Sequence, residues 1–166
     1  MEDSRNLGKV IGKIMFKIAP LISLLFKPTP IESCIKKALR TKKERKWEKI
    51  YFAIDLHDTI VKSSYKNQKD CIVTFPYAIE ALKKLSANKE ICLILFTSSY
   101  KEYLEQYFTF FKNQGINFQY LNENPECPST ATGDFRQKFY FNVLLDDKAG
   151  FNPYRDWKII FRTKLI

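Results

Sequence analysis

The sequence predicts an α/β domain built on a parallel sheet and preceded by an amphipathic, basic helical arm. Three apolar runs predict the sheet. Ile50-Tyr51-Phe52-Ala53-Ile54 leads into Asp55-Leu56-His57-Asp58-Thr59, Ile91 to Phe96 leads into Thr97-Ser98-Ser99, and Phe141 to Leu145 leads into Asp146-Asp147. Near-continuous apolar runs of this length suit strands buried on both faces. Helical patterns lie between them, and strands alternating with helices argue for parallel pairing through crossovers. In open sheets of this kind, ligands bind beyond the carboxyl ends of the strands. A carboxylate, hydroxyls and paired carboxylates at three such ends point to Mg²⁺-dependent phosphoryl transfer.

The chain divides by charge into an arm, residues 1–48, and a domain, residues 49–166. Residues 1–49 hold 13 Lys/Arg against 5 Asp/Glu, whereas residues 50–166 hold 15 against 13. Most of the formal charge of +10 therefore belongs to the arm. Val10 to Phe26 is largely apolar, with Lys9, Lys13 and Lys17 four residues apart along one helical face. It is shorter than the ~20 residues of a membrane span. It reads either as an interfacial helix with lysines toward anionic headgroups or as a helix packed on protein. Lys27-Pro28-Thr29-Pro30 breaks it. The stretch Glu32 to Lys49 is then lysine-rich and helical in pattern. Residues 9–49 would suit an anionic membrane surface, or more weakly nucleic-acid phosphates, or form a solvated linker. Four scattered cysteines without a Cys-x-x-Cys pair and a single histidine, His57, argue against a zinc site or a disulfide framework. A reducing, cytoplasmic setting is the expectation, with peripheral membrane attachment if the arm lies on lipid rather than on protein.

Along the domain, Ile50–Asp55 is the first strand. The polar stretch Lys62–Asp70 and a short β-rich piece, Cys71–Phe75, follow. Pro76 suits the first turn of a helix whose apolar spacing is set by Ala78, Ile79, Leu82 and Leu85. Ile91–Phe96 is the next strand. Tyr100–Lys112 is an amphipathic helix closed at Gln114-Gly115. Ile116–Leu121 is expected as a strand, Asn122–Asp134 as a loop, Phe139–Leu145 as a strand and Lys158–Arg162 as a last short strand.

Taken together, these motifs resemble the haloacid dehalogenase-like hydrolases, whose domain has a Rossmann-like parallel sheet. Their first motif, Asp-x-Asp-x-Thr/Val after an apolar strand, stands here as Asp55-Leu56-His57-Asp58-Thr59. Their strand-terminal Thr or Ser matches Thr97, or less closely Ser98, their Lys matches Lys138, and their acidic pair matches Asp146-Asp147. The resemblance spans about residues 49–163. It implies that Asp55 is the nucleophile forming an aspartyl-phosphate. Thr97, Ser98 and Lys138 would bind the phosphoryl group. Mg²⁺ would be held by Asp55, Asp146, Asp147 and the backbone carbonyl of His57.

The sequence departs from this pattern at His57, which replaces the family's acid/base Asp. His57 could transfer the proton itself, since unperturbed imidazole has a pKa of ~6.5. Asp58 could swing in instead, or the proton-transfer role is lost, which typically costs ~10²–10⁴ in rate. Neither the segment between Thr59 and Lys101 nor that between Thr97 and Lys138 leaves room for a large cap domain. Capless members tend to act on exposed phosphates of larger substrates, with Lys62–Asp70 and Asn122–Asp134 shaping specificity. The leading expectation is a Mg²⁺-dependent phosphoric monoester hydrolase. The alternatives are a catalytically impaired binding or scaffold module at a membrane and a nucleic-acid-end phosphatase.

Overall fold

The computed structural model describes residues 28–63 and 72–166. The expected Val10–Phe26 helix and most of the Lys62–Asp70 loop lie outside them. The order of elements is α1 (Pro30–Arg45), β1 (Ile50–Asp55), α2 (Ala78–Ala87), β2 (Ile91–Phe96), α3 (Lys101–Asn113), β3 (Tyr120–Leu121), β4 (Val143–Leu145), a 3₁₀ turn (Asp147–Ala149) and α4 (Asp156–Arg162). The four strands form one sheet in the order β3-β2-β1-β4. All neighbours are parallel, with Asp55 opposite Phe96 and Ile54 opposite Leu145. This is the α/β, Rossmann-like arrangement the sequence predicts. The chain builds outward from β1 through β2 to β3, then returns to the other side of β1. That reversal puts the switch point, the usual ligand crevice of such sheets, between β1 and β4.

Strand alternation sorts the core into two faces. Ile50, Phe52, Ile54, Leu93 and Leu95 join the larger apolar cluster, and the buried apolar residues of all four helices belong to it. Helix α2 shows why its sequence folds this way: Ala78, Ala81, Leu82 and Leu85 recur at helical spacing and are all fully buried. On the opposite face Tyr51, Cys92 and Ile94 form a smaller cluster, covered by Tyr120, Cys127, Phe139, Tyr140 and Phe141. Irregular chain therefore lines that face. It is tied down by Glu126, which accepts from Lys49 at 2.7 Å, Tyr120 at 2.9 Å and Tyr51 at 3.1 Å.

Four expectations change. Helix α1 buries Ile31, Ile35 and Ala38 in the main cluster. It thus belongs to the α/β body, which begins near Ile31 rather than at 49. The expected strands Ile116–Leu121 and Phe139–Leu145 shrink to β3 and β4, because side-chain amides take over part of the ladder. Leu93 N–H donates to the Gln119 side-chain carbonyl at 2.7 Å, and Tyr51 N–H to that of Asn142 at 2.9 Å. The Cys71–Phe75 piece gives, among its described residues, only a single bridge of Thr74 with Val61. Finally, Lys158–Arg162 is helix rather than strand. Trp157 and Ile160, three apart, are both fully buried, and Asp156 accepts from Asn152 N–H at 2.9 Å in the turn before the helix. Packing of that stripe outweighs the strand preference of Ile159-Ile160-Phe161.

Candidate functional site

A cavity of about 480 Å³ opens at the carboxyl ends of the strands. Asp55, His57, Asp58, Ser63, Phe96, Thr97, Ser98, Asn122, Asp146, Asp147 and Lys148 line it. Each strand delivers its part through its own local chemistry.

After β1 the chain makes a tight turn. Asp58 takes a left-handed backbone (φ 58°), which Asp tolerates better than most residues. Its N–H donates to Val61 O at 2.7 Å, while Ile60 and Val61 N–H both return to Leu56 O. The turn folds Thr59, fully buried, back over Asp55. The Thr59 hydroxyl donates to Asp55 Oδ2 at 2.9 Å and accepts from Asp147 N–H at 3.1 Å. One hydroxyl therefore sets the relative position of the β1 carboxylate and the segment after β4.

Beyond β4, Asp146 caps the 3₁₀ turn by accepting from Lys148 N–H at 2.8 Å. Gly150 closes the turn at φ 92°, a left-handed conformation that favours glycine. One oxygen each from Asp55, Asp146 and Asp147 lies within 4.8 Å of the others. This is an all-oxygen donor set of the type that hard divalent cations prefer, so the three carboxylates could hold a metal ion. Burial pushes the Asp55 carboxyl up to about 6 despite the Thr59 and Leu56 hydrogen bonds, and the charges of Asp146 and Asp147 push the same way. A bound cation would relieve that crowding.

At the end of β2, Thr97 is buried and held by a two-way amide clamp. Its N–H donates to Asn122 Oδ1 at 2.8 Å, and its carbonyl accepts from Asn122 Nδ2 at 2.7 Å. Thr97 Oγ1 and Ser99 Oγ are 3.0 Å apart, and Ser99 Oγ is 3.0 Å from His57 Nε2. A polar chain thus runs from His57 through Ser99 to Thr97. The imidazole also packs edge-on to Tyr107, centroids 5.6 Å apart. Burial lowers its pKa from the usual histidine value, the nearby Asp58 charge opposing this.

Asp55, His57, Thr97, Ser98, Asp146 and Asp147, all singled out from sequence, come together here. Two readings change. Lys138 is exposed and does not line the cavity, whereas Lys148 does, its Nζ 2.5 Å from Asp147 Oδ2. Asp58 is committed to Ser63, whose N–H and hydroxyl donate to its two carboxylate oxygens at 3.0 and 2.8 Å. Those bonds hold its carboxyl below the usual range, so it is poorly placed to carry a proton. The His57 ring faces Ser99 and is not part of the carboxylate group. Sequence reading assigned no role to Thr59, Ser99 or Asn122. Thr59 and Ser99 stood inside motifs already noted, and Asn122 directly follows a predicted strand end.

Neither a family model nor a curated protein sequence matches the chain. Among solved structures it is similar to a conserved protein from Bacteroides thetaiotaomicron. The two are 29% identical, the match covers 68% of this chain and 87% of that one, and the TM-score is 0.52. Fold and likeness together define the class, an α/β protein with a Rossmann-like parallel sheet. Within that class this chain carries an acidic cluster suited to a metal ion at its switch point.

Proposed function

We propose that the chain is a Mg²⁺-dependent phosphohydrolase of the haloacid dehalogenase-like kind, with Asp55 as nucleophile. The observation that supports this most is the convergence of Asp55, Asp146 and Asp147 from neighbouring strand ends, with Thr97 across the same cavity. Asp55, Asp146 and Asp147 would hold Mg²⁺, which when bound supplies neutralising charge and orients phosphoryl oxygens.

The residues then divide the work. An Asp55 oxygen bonds to phosphorus as the ester P–O bond breaks, and the departing oxygen takes its proton from bulk water through the open cavity. Water then adds to phosphorus, the Asp55–phosphorus bond breaks, and inorganic phosphate leaves. Thr59 holds the Asp55 carboxylate in place for both attacks. Thr97, Ser98 and Lys148 line the same cavity and would meet the phosphoryl oxygens, where charge spreads in the transition state. His57, lowered by burial toward its neutral form, suits accepting a proton from the attacking water. Its contact with Ser99 aims the ring and ties it to Thr97.

The test is hydrolysis of p-nitrophenyl phosphate with and without Mg²⁺, comparing wild type with Asp55→Asn. Turnover that needs both Mg²⁺ and Asp55 is expected. Turnover that survives Asp55→Asn, or none with any divalent cation, would favour a binding module.

A membrane role for the basic segment draws on α1. Lys36, Arg40 and Lys43 fall on one exposed stripe opposite buried Ile31, Ile35 and Ala38. Such a stripe suits an anionic lipid surface. No described helix is long and apolar enough to cross a membrane.

A further inference from the structure

Phe96 is the single apolar residue among the described residues lining the cavity. It sits 36% exposed at the end of β2, immediately before Thr97. Strand alternation turns its ring away from the helices, toward the face of Cys92 and Ile94. Asp55 is paired with it across β1 and β2, and alternation from Tyr51 places both on the same face. Adjacent parallel strands lie about 4.8 Å apart, so the ring stands beside the carboxylate read above as the nucleophile.

The ring is fixed in that position. Phe139 meets it edge-on at 5.5 Å, and Phe141 backs Phe139 at 5.8 Å. These two belong with the residues covering the smaller apolar cluster. Phe96 is thus the exposed end of an aromatic row that runs from the core to the cavity wall. An aromatic side chain left uncovered in an otherwise polar pocket retains apolar surface that a ligand can bury. Offset or edge-to-face contact with a planar ring adds to this.

We propose that Phe96 is a specificity surface for phosphate esters of aromatic alcohols, with the aryl group against Phe96 and the phosphate toward Thr97, Ser98 and Lys148. Free aryl phosphates and phosphotyrosyl side chains share this chemistry. The inference rests on the phosphohydrolase reading of the same cavity, but binding tests it without turnover.

The experiment measures binding of phenylphosphonate and methylphosphonate by calorimetry, with and without Mg²⁺, to wild type, Phe96→Leu and Phe96→Tyr. Wild type should prefer the aryl ligand, Phe96→Leu should lose roughly three- to tenfold of that preference, and Phe96→Tyr should keep it. In turnover, the ratio of kcat/KM for phenyl phosphate over glycerol phosphate should fall in Phe96→Leu through a raised KM. A phosphotyrosyl peptide and a 5′-nucleotide form the remaining arms. A peptide turned over better than phenyl phosphate assigns the macromolecular source, and the reverse assigns the small ester. An aryl preference unchanged in Phe96→Leu, or a nucleotide favoured over both aryl esters, would overturn the proposal. Aryl-selective binding lost in Phe96→Leu without hydrolysis would instead sink only the phosphohydrolase reading.

Discussion

The indole N–H of Trp157 donates to the backbone carbonyl of Thr59 at 2.7 Å, with both residues fully buried. The terminal helix therefore holds the turn that sets Asp55. Trp157→Phe removes the donor and strands a buried carbonyl, so it should cost about 1–3 kcal/mol of stability. Chemical denaturation followed by the fluorescence of Trp47 and the far-UV signal measures it. A loss below about 0.5 kcal/mol would show that water or a neighbour replaces the bond.

Thr59→Val keeps the shape of the side chain but removes the hydroxyl shared by Asp55 and Asp147. The Asp55 pKa should rise further, since a hydrogen bond to its charged form is lost. Mg²⁺ affinity should fall, and turnover should drop about 10- to 100-fold. Thr59→Ser should restore most of it.

A cation held by Asp55 would compete with its proton. With its carboxyl pushed up to about 6, the folded protein binds this proton more tightly than the unfolded chain. The stability it contributes is complete below the ordinary carboxylate value and is lost as pH rises through about 6. Mg²⁺ should reverse that trend, stabilising the protein at pH 7 and progressively less below pH 6. Thermal melting from pH 4.5 to 8, with and without Mg²⁺, for wild type and Asp55→Asn, reads both effects. Equal Mg²⁺ stabilisation of Asp55→Asn would remove Asp55 from the metal set.

His57 is the chain's single histidine, so its ring protons report one site in a proton NMR titration. The midpoint should lie below the ~6.5 of free imidazole. A lowered folded value means that the unfolded chain takes this proton first. Acidification through that range therefore favours unfolding. In turnover, His57→Ala should lose ~10² or more, while His57→Asp should keep or raise the rate. An alanine variant as active as wild type would make His57 a bystander.

The two lysines separate cleanly. Lys148→Met should reduce kcat by roughly 10²-fold, the scale of losing one charge-stabilising group in a transition state. A loss as large from Lys138→Met would return the charge to the position the family resemblance first suggested.

A chain lacking residues 1–27 should keep its fold and weaken binding to phosphatidylserine vesicles in a salt-sensitive way. Removal through Arg45 should destabilise the body, because Ile31 and Ile35 leave the core, at about 2–5 kcal/mol for each such large-to-small loss. Unaltered vesicle binding without residues 1–27 would exclude that segment and leave the Lys36, Arg40 and Lys43 stripe of α1 as the lipid-facing charge.

The sequence alone determined the sheet and its acidic ends. Buried parallel strands leave long apolar runs, and Asp55, Thr97, Asp146 and Asp147 stand directly at their ends, where local order in the chain fixes position. It misread α4, whose β-branched run looks like a strand until Trp157 is seen packed under Thr59. It also misread α1, whose lysines obscured the three residues that pack inward. Tertiary structure decided what depends on contacts across the chain. It chose Lys148 over Lys138 for the cavity, turned Asp58 onto Ser63, and set Thr59 between two strand ends. Spacing along a strand is local and is written in the residue pattern. Which side chains meet above the sheet depends on turns and packing that only the assembled fold provides.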